Sequence, residues 1–215
     1  QLADEHSDFL DKECLLAESL IAAVRNELSA AFPAAQLIVF GSYSTRLWMP
    51  WSDLDFVLAF PAGAGSAHTL LQRLEARLLA APALFASARY LAKAQFPVVK
   101  AVAATAFGSR ALDFTLALAS GPRHTGPDCA ALVGSYLAFY AALRPLALFF
   151  KQALHLAGLN DAYRVGSLGR TLLLRAAVAA RRLPAGPRRR GRGRLGLGRS
   201  GDFGLGKRLR PARAL

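Results

Sequence analysis

Cysteine and histidine are scarce in this chain of 215 residues, and no apolar run reaches eighteen residues. The two cysteines, Cys14 and Cys129, fit no metal spacing and no disulfide framework, so a reduced intracellular setting is the default. His6, His68, His124 and His155 are scattered, and none forms a metal-ligand or triad spacing with a neighbour. They read as surface or packing residues. The apolar stretch Leu146–Phe150 is followed at once by Lys151 and Gln152, so a membrane partner is not expected. Acids are almost missing from the last part of the chain: residues 181–215 hold twelve Arg or Lys and only Asp202 against them, a net +11. Residues 1–180 hold fifteen basic and thirteen acidic side chains, a net +2. The overall +13 therefore belongs to the tail, and the body gives no charge argument for nucleic acid. A methionine is missing from position 1, which is Gln1, so the sequence reads as an excerpt and the lack of an N-terminal address proves nothing.

What is present is enough chain for a proper core, as one domain or one and a half. Residues from about Ser7 to Ala31 have helical spacing of Phe9, Leu10, Leu16, Leu20, Ile21, Val24 and Leu28, ended by Phe32-Pro33. Gln36–Phe40 reads as a first strand that turns at Gly41 into a short helix. Asp53–Phe60 reads as a second strand, His68–Leu79 as an amphipathic helix, and Ser87–Leu91, Val98–Ala104 and Arg110–Leu116 as further strands. From Asp128 the pattern is helical, with helices over Leu132–Leu143 and Leu146–Leu156 split by Arg144-Pro145. After about Ala180 the composition is Arg, Gly, Pro and Leu without periodicity, which cannot bury enough surface to offset chain entropy.

The chemistry concentrates in Phe40-Gly41-Ser42-Tyr43-Ser44-Thr45-Arg46-Leu47-Trp48-Met49-Pro50-Trp51-Ser52-Asp53-Leu54-Asp55. Residues i and i+2 of a strand share a face, so Asp53 and Asp55 aim at one point while Leu54 and Phe56 face a core. Two carboxylates side by side in an apolar strand repel and lose hydration, and a divalent cation relieves both penalties. Hard oxygen donors suit magnesium. Asp113, between Leu112 and Phe114, is a third carboxylate in an apolar strand. The Gly41-Ser42 turn at a helix start offers N–H groups, a positive dipole end and a hydroxyl, all suited to phosphate.

This pattern resembles the nucleotidyltransferase superfamily typified by DNA polymerase beta, and within it the non-canonical poly(A) polymerases and terminal uridylyltransferases. Their motif reads roughly Phe-Gly-Ser-x-x-Thr-Gly-Leu-x-x-Pro-x-Ser-Asp-Ile/Leu-Asp-Leu. Phe40, Gly41, Ser42, Thr45, Leu47, Pro50, Ser52, Asp53, Leu54 and Asp55 fit it, and Arg46 stands where glycine is usual. Phe96-Pro97-Val98-Val99-Lys100 resembles the strand that leads to the third acid. The resemblance implies an α/β (α+β) fold: a mixed sheet flanked by helices, then part of an all-helical domain; the composition adds a disordered basic tail after it. Its boundaries would be an N-terminal helix over 1–32, a catalytic domain over 33–122, a partial helical domain over 123–180 and a tail over 181–215.

It further implies an enzyme that adds AMP from ATP to RNA 3′ ends, with two magnesium (or manganese) ions held by Asp53, Asp55 and Asp113. Gly41, Ser42 and Lys151 would hold the triphosphate, Lys151 through the likeness of Leu146–Gln152 to the family's Leu-Val-Leu-Leu-Val-Lys helix. An RNA-surveillance protein is the partner implied, and the location implied is intracellular, the nucleus ahead of the cytoplasm as the alternative. Gly158–Tyr163 matches the next turn of the family. There the likeness weakens, because the Ser-Ser-Tyr triplet that binds triphosphate and base becomes Leu168-Gly169-Arg170. Terminal uridylyl transfer is the near rival. An enzyme acting on another acceptor, of aminoglycoside nucleotidyltransferase or oligoadenylate synthase type, shares the core motif, but the Lys151 helix argues against it. A truncated copy that only binds RNA remains the non-enzymatic reading, with the tail either an RNA tether or a sequence artefact.

Overall fold

The long first helix sets the frame. The computed structural model describes residues 2–94, 97–105 and 108–159, and in it α1 spans Leu2–Ala31, starting earlier than the apolar spacing alone implies. There follow β1 (Gln36–Phe40), a single-turn α2 (Gly41–Ser44), β2 (Leu54–Phe60), α3 (Ala67–Leu79), β3 (Phe85–Leu91), β4 (Val98–Thr105) and β5 (Gly108–Leu118). Two helices close the described part, α4 (Gly126–Phe139) and α5 (Leu143–Leu156). The five strands form one mixed sheet in the order β1-β2-β5-β4-β3, with β2 and β5 parallel and every other pair antiparallel.

One face of the sheet makes the main core. Leu54, Phe56 and Leu58 of β2, Leu112 and Phe114 of β5, and Val99, Ala101 and Ala103 of β4 bury against α1 and α3. Strand alternation delivers this directly, because even-numbered residues of β2 and β5 point one way. Phe56 and Phe114 stack across the parallel pair with ring centroids 5.0 Å apart. α1 contributes Leu20, Ile21, Val24 and Leu28, and α3 contributes Leu70, Leu71, Leu74 and Leu78. Side chains of this size are worth about 1.5–3 kcal/mol each when fully buried. Ser66 caps α3 by accepting a hydrogen bond from the Thr69 N–H at 3.1 Å.

Three sequence expectations shift. Asp53 lies just before β2 rather than within it, since the ladder begins at Leu54. The division between the last two helices falls at residues 140–142, not at Arg144-Pro145. Pro145 sits instead in the first turn of α5, where its missing N–H breaks no helical bond. α4 likewise begins earlier, at Gly126, with Pro127 in its first turn. Phe96, most of the stretch Gly158–Tyr163, Leu168-Gly169-Arg170 and the 181–215 tail lie outside the described residues. No described helix is long and apolar enough to cross a membrane.

α4 and α5 carry a second, smaller core. Leu137, Leu143, Ala147 and Leu148 enclose Leu47 and Met49 from the loop between α2 and β2. The same helices leave Phe139, Phe149 and Leu156 mostly exposed. The apolar residues of the motif loop therefore weld the sheet to the helices.

Candidate active site

A single rung across the sheet collects the charged residues. In register order it runs Lys100 on β4, Asp113 on β5, Asp55 on β2 and Phe40 on β1. Directly opposed residues project to the same face, so Asp113 and Asp55 emerge side by side, on the face away from the main core. Asp53 precedes Asp55 by two residues and is close enough for its charge to act on both others.

The electrostatics show how crowded these acids are. Burial pushes the Asp55 carboxyl up to about 7, and the charges of Asp53 and Asp113 push the same way. Lys151 and Lys100 oppose this only in part. Asp113 is also raised, mainly by burial and further by Asp53, while its bond to Lys100 works against the shift. Lys151 mirrors them: burial lowers its ammonium to about 8, and Asp53 and Asp55 pull it back up.

Gly41 lies against this cluster. A Cβ built there would fall 2.0 Å from Asp55 Oδ2, and its φ of +73° is one that glycine adopts freely. The turn thus brings the start of α2 onto the carboxylate, with Ser42 next in line.

The rest of the motif builds the loop that carries Asp53. Thr45 Oγ1 donates toward the Gly41 and Ser42 carbonyls at 3.2 and 3.1 Å, closing the α2 turn. Ser52 is buried; its Oγ accepts from the Met49 N–H at 3.1 Å and its carbonyl accepts from Trp48 Nε1 at 3.2 Å. Two cations of α5 grip consecutive carbonyls of the loop, Arg144 Nη1 on Arg46 O at 2.7 Å and Lys151 Nζ on Leu47 O at 2.8 Å. Lys151 also donates to Ser52 Oγ at 3.4 Å. From the other side Arg110 Nη1 donates to Pro50 O at 2.7 Å. Its Nη2 pairs with Glu13 of α1 at 2.9 Å, and the guanidinium covers the Trp48 ring.

Arg46, the departure from glycine in the motif, has a φ of 55°. A side chain in the left-handed region is strained by about 1–2 kcal/mol, and the Arg46 charge faces Arg144, whose guanidinium it depresses after burial. Arg46→Gly keeps the carbonyl that Arg144 needs. It is expected to stabilise the protein by about 1 kcal/mol, after allowing for the entropy glycine adds to the unfolded chain. A higher urea midpoint at unchanged slope checks this; a lower midpoint would show that the Arg46 side chain does more than tolerate its position.

The donor set fits a divalent cation. It consists of hard carboxylate oxygens, partly buried and mutually repelling, with a lysine ammonium standing on one of them: Lys100 Nζ lies 2.9 and 2.6 Å from the two oxygens of Asp113. Among the described residues no three carboxylate, histidine or cysteine side chains are drawn close enough to form a finished cage. The β2–β5 register and the two-residue step from Asp53 to Asp55 bring the three aspartates within reach of one another's charge.

Sequence reasoning named Asp53, Asp55, Asp113, Gly41, Ser42 and Lys151 as site residues, and all six lie on or beside this rung and its loop. It left out Lys100 and Arg110. A strand lysine two positions beyond Val98 was a visible signal, but only the β4–β5 register puts it on Asp113.

Comparison with known proteins bears on the family and the fold. Residues 6–116 match the family model of the central palm domain of mitochondrial-like poly(A) RNA polymerase. Poly(A) RNA polymerase protein 2 of Saccharomyces cerevisiae is 31% identical over 158 residues, which is 74% of this chain and 26% of that protein. Poly(A) RNA polymerase protein 1 of Eremothecium gossypii is 31% identical over 157 residues, 73% of this chain and 24% of that protein. The chain thus spans about a quarter of the length of these relatives. Among solved structures, the polymerase core of TRAMP, an RNA surveillance complex, superposes with a TM-score of 0.66 at 28% identity, covering 84% of this chain and 55% of that one. The Cid1 poly(U) polymerase bound to magnesium and 3′-dATP gives a TM-score of 0.62 at 25% identity, over 76% of this chain and 48% of that one.

Proposed function

The chain belongs to the poly(A) RNA polymerase palm family, within the nucleotidyltransferases of DNA polymerase beta type, and from that premise we propose that it carries the catalytic centre of a template-independent RNA nucleotidyltransferase. The observation that carries the proposal is the rung that sets Asp55 beside Asp113, with Asp53 two residues away and the Gly41 turn against them. Asp53, Asp55 and Asp113 would hold magnesium or manganese, two ions in this reading. When bound, such ions supply positive charge to the triphosphate and acidity to the RNA 3′-hydroxyl.

The chain's own groups do the rest. Asp113 orients the 3′-hydroxyl and accepts its proton as the oxygen attacks the α-phosphate in line and pyrophosphate leaves. The start of α2 at Gly41 and Ser42 faces the triphosphate, and Lys151 neutralises part of its charge. The loop bonds from Lys151, Arg144 and Arg110 keep Asp53 in place while the charge changes.

ATP is the nucleotide we assign, on the strength of the poly(A) polymerase relatives. Likeness to a poly(U) polymerase makes UTP the second reading. RNA is the acceptor, an intracellular and by preference nuclear setting is where it would be met, and a protein of RNA surveillance is the partner class suggested by the TRAMP core. The catalytic domain would run over 33–122, with the helical part beginning at 123.

Extension of a labelled oligo(A) RNA, with magnesium or manganese and one nucleoside triphosphate at a time, tests the reading. Extension with ATP is expected, and Asp53→Ala should abolish it. A preference for UTP would move the chain to the uridylyltransferases, and no extension by folded protein with any nucleotide would overturn the proposal.

A further inference from the structure

Asp113 already has a cation on it. Lys100 reaches both carboxylate oxygens from the neighbouring strand, and its own side chain is 39% exposed against 17% for Asp113. An ammonium on a flexible four-carbon stem that is itself partly exposed is easily released to water. Its position matters more than its strength. It occupies both oxygens of the carboxylate that stands beside Asp55 in the β2–β5 register, the oxygens that an ion shared with Asp53 and Asp55 would need.

We propose that Lys100 is a displaceable counter-ion for Asp113, holding the third carboxylate in place until a divalent cation takes it over. The proposal rests on the reading of the three aspartates as cation ligands. Lys100 is then a positioning residue: it acts through Asp113. It competes with the divalent ion for the same oxygens, so it weakens cation binding to the nucleotide-free protein.

The test is a manganese titration of the nucleotide-free protein at fixed pH and ionic strength, reading the electron paramagnetic resonance signal of free Mn2+. Lys100→Met, which keeps the length and removes the charge, is expected to bind Mn2+ about tenfold more tightly than the wild type. Lys100→Gln serves the same purpose should the methionine variant fold poorly. Lys100→Arg keeps a cation on Asp113 and should bind Mn2+ no more tightly than the wild type. Asp53→Asn should weaken binding in either background. Equal or weaker Mn2+ binding by both uncharged variants would overturn the counter-ion role and leave the three-aspartate reading intact. Absence of Mn2+ binding by the wild type and both uncharged variants would remove the ligand reading itself, and this proposal with it.

Discussion

Asp55→Asn is expected to abolish nucleotidyl transfer and, at the same time, to stabilise the protein measured without divalent ions. The two effects have one cause. Burial and the charges of Asp53 and Asp113 raise the Asp55 carboxyl from 3.8 to about 7. A group whose folded pKa lies above its unfolded value gives its full stability below the unfolded pKa, and loses it as pH rises through the folded one. The window here runs from about pH 4 to about pH 7. Across it the wild type should lose on the order of 4 kcal/mol from this group, because each pKa unit is about 1.4 kcal/mol.

Asparagine has no charge to bury, so the variant should show a flatter pH profile and a higher urea midpoint at pH 8. The gain will fall short of the full figure, because Lys151 is buried beside this cluster and loses the attraction of one carboxylate. Transfer, by contrast, should drop by about 10³-fold or more, since on the proposed reading the variant lacks an oxygen that would hold the cation. Added magnesium should raise the melting temperature of the wild type at pH 8 and leave the variant nearly unmoved. If the variant were instead less stable than the wild type at pH 8, Asp55 would be a satisfied structural acid and not a strained ligand.

The sequence made much of this visible because its signals were local. Leu37–Phe40 is an apolar run that follows the Phe32-Pro33 helix stop and ends at Gly41, and β1 spans Gln36–Phe40. Period-two alternation placed Leu54 and Phe56 in the core and left Asp55 on the other face, as found. What was hidden depends on partners distant in the chain. Lys100 acquires meaning only when the β4–β5 register sets it opposite Asp113, thirteen residues on. Arg110 is a strand residue until α1 supplies Glu13 and the motif loop supplies the Pro50 carbonyl. The division of α4 from α5 was misplaced because Pro145 was read as a breaker, whereas a proline in a first turn starts a helix as readily as it ends one. The motif spacing does not say what Leu47 and Met49 pack against; they fill the core under α4 and α5.

Gly41→Ala should be the most damaging glycine-to-alanine change among the described glycines. The new Cβ would lie 2.0 Å from Asp55 Oδ2 and 2.8 Å from its Cγ, at a φ of +73°. Either Asp55 swings away from Asp113 or the α2 turn unwinds, and both move groups assigned to the metal and the triphosphate. Displacing reacting groups by about 1 Å costs on the order of 10² in rate. Stability should fall by about 3 kcal/mol, combining left-handed strain with the overlap.

A double-mutant cycle separates the two contributions. In an Asp55→Ala background the clashing Oδ2 and Cγ are absent, and only the Cβ contact at 3.1 Å remains. The cost of Gly41→Ala should then shrink toward the backbone term of about 1–2 kcal/mol. Equal costs in the two backgrounds would mean that the turn is not seated on the Asp55 carboxylate. The role of Gly41 would then reduce to its backbone conformation, and its contact with the Asp55–Asp113 rung would have to be abandoned.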